Sequence, residues 1–201
     1  MPRSMRQLEL RVRTWGGHRR EAGRKPAAGR RTVPHRRRVV HDRRCPVHVT
    51  LRATAGLPSF RDECPFGAIQ AALRAASTAP FRVLHFSVQA DHLHVLVEAD
   101  EPTGFTHGMQ GLAIRVAKAV NRALGRVGRV WGDRFHARML RTPREMRNAL
   151  VYVLNNWRKH VPNARGLDPR SSATWFNGWS KPPTRKAGPC LVAAARTWGW
   201  P

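Results

Sequence analysis

His92 and His94 stand two residues apart in the run Asp91-His92-Leu93-His94-Val95-Leu96-Val97, and well downstream lies Tyr152, the only tyrosine of the chain. A pair of imidazoles and a phenol are what metal-assisted attack on a phosphodiester requires: the imidazoles hold an ion and the phenol supplies the nucleophile. The run reads as a strand. Its period of two sets His92 and His94 on one face and Leu93 on the other, about 7 Å apart along the strand, so both can converge on one metal ion. Asp91 is placed to fix the orientation of a ring from behind. A His-x-His pair taken alone is more often two histidines on a solvated or hydrogen-bonded sheet face. His48, His85, His107 and His136 are read that way one by one.

The segment carrying Tyr152 is a well-signalled helix. Thr142 is its N-cap, Pro143 its first residue, and Glu145 closes a capping box, so the helix should run to about Lys159 and stop before Pro162. At about 100° per residue, Met146, Leu150, Val153 and Trp157 form one stripe that must face a core. Tyr152 falls off that stripe, on the side of Asn148, Asn156 and Lys159. Asn156 lies one turn after it, so both can point at one site, where an amide oxygen can complete a metal's coordination. A free phenol has a pKa of about 10, so metal or cationic charge must favour its ionised form for attack.

The chain has 201 residues and a formal charge of +25, with 37 Lys and Arg against 12 acidic residues. That balance favours a polyanionic partner, most simply nucleic acid. Of the basic residues 32 are Arg, while Lys appears five times and Ile twice, a bias typical of GC-rich coding that also makes tyrosine scarce. Tyr152 therefore stands out by position more than by rarity. Arg115, Lys118 and Arg122 share a helix face, Arg134 and Arg138 a strand face, and Arg144, Arg147 and Arg158 dress the Tyr152 helix. Each alone is most simply a solvated charge. Together they make a track for a phosphate backbone, with binding that weakens steeply with salt. Cys45, Cys64 and Cys190 form neither a zinc pattern nor a disulfide framework, as suits a reducing cytoplasm. No apolar run reaches the length of a membrane span and no signal-peptide core follows the start. The expectation is a cytoplasmic, nucleoid-associated protein.

Residues 1–44 carry a net charge of +12 with scattered Gly and Pro and read as a flexible basic arm. Residues 45–161 have globular patterning. Strands are predicted at 46–53, 81–89, 92–99 and 134–141. Helices are predicted over 62–76, from Pro102 to about Leu124 with the stripe Phe105, Met109, Leu112, Val116 and Val120, and over the Tyr152 segment. The order β-α-β-β-α-β-α gives an α+β domain with a four-stranded, mostly antiparallel sheet and helices on one face. Residues 162–201 form a Trp-, Pro- and Gly-rich tail whose Trp175, Trp179, Trp198 and Trp200 either pack on the domain, the commoner fate, or stack on bases.

The segment His85-Phe86-Ser87-Val88-Gln89-Ala90-Asp91-His92-Leu93-His94-Val95-Leu96-Val97 resembles the histidine-hydrophobic-histidine strand of the single-tyrosine HUH transposases, an IS200-like domain. Trp131-Gly132-Asp133-Arg134-Phe135-His136 and Ala149-Leu150-Val151-Tyr152-Val153-Leu154-Asn155-Asn156 are similar to their pre-helical strand and catalytic helix. Within that family the likeness is greatest to the REP-associated tyrosine transposases and covers about residues 45–160. It departs at Asn156, where many mobile-element relatives carry Gln or Glu. The resemblance implies a ferredoxin-like (RRM-like) fold and cleavage and rejoining of single-stranded DNA near hairpins through a 5′-phosphotyrosine. It also implies Mg²⁺ or Mn²⁺ on His92, His94 and Asn156, and homodimers in which one subunit's tyrosine helix completes the other's histidine site. A replication initiator or relaxase fits less well, since relaxases usually carry three histidines and an early tyrosine. The alternative from another class is a non-catalytic or domesticated nucleic-acid-binding protein of the same fold.

Overall fold

The computed structural model describes residues 40–161, 164–180 and 190–197, all within the compact unit Val33–Pro201. Most of the expected basic arm, together with Trp198 and Trp200, lies outside the described residues. The strands are β1 (Val47–Arg52), β2 (Phe81–Val88), β3 (His92–Ala99) and β4 (His136–Met139). The helices are α1 (Glu63–Ala76), α2 (Pro102–Ala123) and α3 (Pro143–Asn155). The sheet order is β2-β3-β1-β4 and every pairing is antiparallel. This is the ferredoxin-like α+β arrangement, with α3 added after the sixth element.

Alternation builds the first layer. Val47, Val49 and Leu51 of β1 and Leu93, Val95, Val97 and Ala99 of β3 join the apolar faces of α1 and α2 in one core. In α2 the five stripe residues Phe105, Met109, Leu112, Val116 and Val120 are the buried ones. Gly108 lets that helix press against Phe81, whose ring would clash with any Cβ there. Gly125, at φ +58°, adopts the left-handed conformation that ends α2.

One expectation needs correction. α1 and α2 do share a face, but α3 covers the other: Met146, Ala149, Leu150, Val153 and Leu154 pack with Leu84 and Leu96 in a separate core. The physical reason is that β2 and β3 are buried on both sides, and their continuous apolar runs need cover on both.

β4 is also shorter than 134–141. It pairs only with the first part of β1, Val47↔Met139 to Thr50↔His136. Ahead of it the chain leaves the ladder after Gly132, whose amide still bonds Arg52, and Asp133 takes up the Arg134 amide through its carboxylate. The segment after α3 packs along the outer edge of β2: Ser172 Oγ accepts from Phe86 N at 2.9 Å, and Asp168 pairs with Arg61 at 2.8 Å. Trp175 lies against Phe86, and Trp179 donates to Ala173 O, so both of these tryptophans pack. No described helix is long and apolar enough to cross a membrane.

Candidate active site on the α3 face of the sheet

His92 and His94 point from β3 toward α3, and both are buried. Their ring centroids are 4.8 Å apart and nearly perpendicular. Register supplies their supports. Thr50 lies directly opposite His94, and its Oγ1 is 3.0 Å from His94 Nδ1. His48, one pair further along the same face of β1, brings Nε2 to 3.2 Å from the same nitrogen. Asp91 Oδ1 lies 2.6 Å from His92 Nδ1, with Arg52 3.8 Å from the other carboxylate oxygen. With Nδ1 engaged on both rings, Nε2 is the nitrogen each presents to a ligand.

α3 brings Tyr152 over this pair. Thr142 Oγ1 accepts from Glu145 N and caps the helix. The reciprocal half of the expected capping box is displaced: Glu145 accepts from Arg141 N and Arg138 Nη2, so the carboxylate reaches past the N-cap to bind the end of β4. The stripe Met146, Leu150, Val153 and Trp157 is buried while Tyr152 is 38% exposed. Its ring centroid lies 5.2 Å from that of His94 and 5.7 Å from that of His48, edge-on to both. Lys159 Nζ sits 4.7 Å from the ring centre. Tyrosine and histidines thus meet within a single chain.

The helix does not run unbroken to Lys159. It ends at Asn155 and tightens into a 3-10 turn over Asn156–Lys159. Asn156 therefore does not share Tyr152's exposed side; it is 1% exposed, and neither Oδ1 nor Nδ2 has a hydrogen-bond partner among the described residues. The turn lies between two contacts with the histidine pair, Tyr152 on His94 before it and His160 on His92 (ring centroids 5.7 Å apart) after it. His94 Nε2 is likewise buried without a partner. Buried polar atoms left unpaired are uncommon and call for a ligand or water. Two imidazole nitrogens and an amide oxygen are a donor set that fits a divalent ion with open positions. Among the described residues no group of three or more His, Cys, Asp or Glu is arranged to hold a metal. An ion here would rest on neutral donors alone.

Burial keeps the imidazoles neutral, the form that binds metal. Desolvation, reinforced by the neighbouring imidazoles of His92 and His48, pulls His94 down to about 3. His48 is lowered to about 4, again chiefly by burial and then by His136 and Arg138. His92 is also lowered by burial, against the opposing pull of Asp91.

The arginines divide between the two layers. Arg138 lies opposite His48 on the site's face, though Glu145 engages it. Arg134 precedes β4 and is partly buried. Arg144, Arg147 and Arg158 are exposed on α3 and its turn, with Arg158 donating to Gly166 O. Arg115, Lys118 and Arg122 are exposed on α2, whose layer covers the opposite face of the sheet, so they form no common track with the histidines. His48 and Thr50 were not singled out from sequence, although the same period-two alternation that flags His92 and His94 puts them together on the polar face of β1.

A transposase is among the structural neighbours. The solved structure of a REP-associated tyrosine transposase bound to a REP hairpin is similar to this chain at a TM-score of 0.48 and 19% sequence identity, covering 64% of this chain and 74% of that one. No family model and no curated protein matches the chain. What the site can do follows from its own geometry.

Proposed function

We propose that this protein is a DNA transposase-type nuclease that cuts and rejoins single-stranded DNA through Tyr152. The observation that carries the reading is the meeting of Tyr152 with His94, 5.2 Å between ring centroids, where His94 Nε2 is buried without a partner among the described residues. His92 Nε2, His94 Nε2 and Asn156 Oδ1 would hold Mg²⁺ or Mn²⁺. The imidazoles favour Mn²⁺ of the two. When bound, such an ion polarises a non-bridging oxygen of the scissile phosphate.

The chain's own residues do the rest. Asp91 orients His92, and Thr50 and His48 orient His94. Because these donors are neutral, they would leave a bound ion's positive charge undiminished. Tyr152 Oη attacks phosphorus, forming an O–P bond as the bond to the 3′ oxygen breaks. The phenol proton passes to solvent at the exposed side of Tyr152, and the leaving 3′ oxygen takes one from solvent. The product is a 5′-phosphotyrosine and a free 3′-OH, and attack by a 3′-OH on that adduct reverses the step and joins strands without a nucleotide cofactor. The exposed edge of Tyr152 gives the strand access, and Arg138 lies opposite His48 on the same face of the sheet.

The test uses single-stranded oligonucleotides drawn from inverted repeats flanking the gene. Wild-type protein with Mn²⁺ should form a denaturant-stable protein–DNA adduct, and Tyr152→Phe should form none while still binding the DNA. Nicking by Tyr152→Phe at the wild-type rate would remove the assignment. Binding with no adduct from either protein would favour the non-catalytic alternative.

A further inference from the structure

The sheet face that carries the histidines has a second polar end. Arg82 of β2 pairs across the ladder with Glu98 of β3, which stands four residues beyond His94 on the same face, about 13 Å along the strand. There Arg43, Arg44, Arg82, Asp100, Arg196 and Thr197 line a cavity of about 470 Å³. Its lining holds four guanidinium groups and one carboxylate, with Glu98 and Asp42 paired to Arg82 and Arg44 behind them.

The nearby acids are already committed. Glu98, 1% exposed, accepts from Arg82 Nη2, from the backbone amides of Arg196 and Thr197 at 2.9 and 3.1 Å, and from the Thr197 hydroxyl. Asp100 takes Arg82 Nη1 at 2.7 Å and stands 4.0 Å from Arg196 Nη1. Asp42 pairs with Arg44 at 3.1 Å. Arg82 is only 5% exposed, and its Nε has no partner among the described residues. Its position is fixed by Ala79 O and the two carboxylates, so it is a rigid wall of the cavity rather than a mobile surface charge. Arg43 and Arg196 are exposed and supply cations at the rim.

We propose that this cavity is a second phosphate-binding site, which takes a backbone phosphate of single-stranded nucleic acid away from the reacting one. Planar guanidinium groups match phosphate oxygens two by two, and a strand held there is anchored at a distance from Tyr152. The proposal rests on the proposed function only for the class of polymer, and binding measures it without any chemistry.

The experiment is fluorescence anisotropy of a labelled single-stranded oligonucleotide over a series of salt concentrations, with Arg43→Ala/Arg196→Ala compared with wild type. Both side chains are exposed, and the backbone amide of residue 196 that holds Glu98 is retained, so the fold is kept. Affinity should fall roughly tenfold, and the slope of log K against log salt should shrink by about 0.7, the value for one phosphate no longer neutralised on a single strand. Arg74→Ala/Arg165→Ala removes two exposed arginines elsewhere and should have a much smaller effect. Unchanged affinity and slope in the first variant, or an equal loss in the second, would overturn the site. Inorganic phosphate is the competing probe: a site that binds it while the cavity variant leaves oligonucleotide binding intact takes free phosphate, which overturns the nucleic-acid assignment. Tyr152→Phe separates the two proposals, because it abolishes the adduct and leaves this binding untouched.

Discussion

A buried amide with neither oxygen nor nitrogen hydrogen-bonded costs about 1–3 kcal/mol, and Asn156 is such an amide. If its oxygen serves an ion, the cost is borne by the metal-free protein alone. Asn156→Leu should therefore leave the stability of the metal-free protein unchanged or raise it by about 1 kcal/mol in urea unfolding, while Mn²⁺ affinity by calorimetry drops about tenfold. A clear loss of stability would mean that the amide has a structural role instead. The supports of His94 give the complementary case. Thr50 Oγ1 and His48 Nε2 both sit on Nδ1, so the double change Thr50→Val/His48→Phe removes every partner that fixes that ring's tautomer. Loss of partners at this remove typically lowers metal affinity 10–100-fold, to be read by Mn²⁺ titration, and Thr50→Ser should restore most of it. His92, with its own partner Asp91, should be affected far less.

At the scale of elements, α3 determines whether the site exists, because it alone carries Tyr152 across the histidine face. Its capping bond from Glu145 N to Thr142 Oγ1, 3.1 Å long, anchors the first turn. Thr142→Ala should cost about 1 kcal/mol in chemical denaturation, and Glu145→Ala somewhat more than a simple cap loss, because Glu145 also ties Arg138 and Arg141 of the β4 end to the helix. Most of this helix was legible in sequence: the cap, the proline at its first position and the apolar stripe are local signals. What the helix packs on was not. The sequence order points to helices on one face, yet the apolar residues Leu84 and Leu96, on the side of β2 and β3 away from α1 and α2, require a cover, and α3 supplies it. The last turn was misjudged for a related reason, since the 3-10 tightening at Asn156 is set by tertiary burial and not by helix propensity. His48 was read as an ordinary sheet-face histidine and Thr50 was not named, because strand register, which a single sequence does not fix, is what sets them against His94.

For the molecule as a whole, the buried histidines make stability depend on pH in a defined window. His85, held against Ser172 Oγ at 3.1 Å, is lowered by burial to about 4, as is His48, and His94 is lowered to about 3. Each is a base whose folded pKa lies below its unfolded value, near 6.5. Between the two values the unfolded chain binds a proton that the folded chain excludes, so acid favours unfolding. Stability is complete above about pH 6.5 and falls as the pH drops toward 4, by roughly 3 kcal/mol for His85 alone. The carboxylates of Asp42, Asp91 and Glu145, whose pKa values are lowered by hydrogen bonds and ion pairs, act in the same direction but below that window, where the unfolded acids begin to take up protons. Urea unfolding of the metal-free protein at pH 7, 6, 5 and 4.5 should thus show a continuous loss. His85→Gln, which can keep a bond to Ser172 without titrating, should flatten the curve by about one third. An equal slope in that variant would show that His85 is solvated when the protein is folded, and the packing of the 164–180 segment against β2 would then have to be looser than the Ser172 bonds to Phe86 indicate.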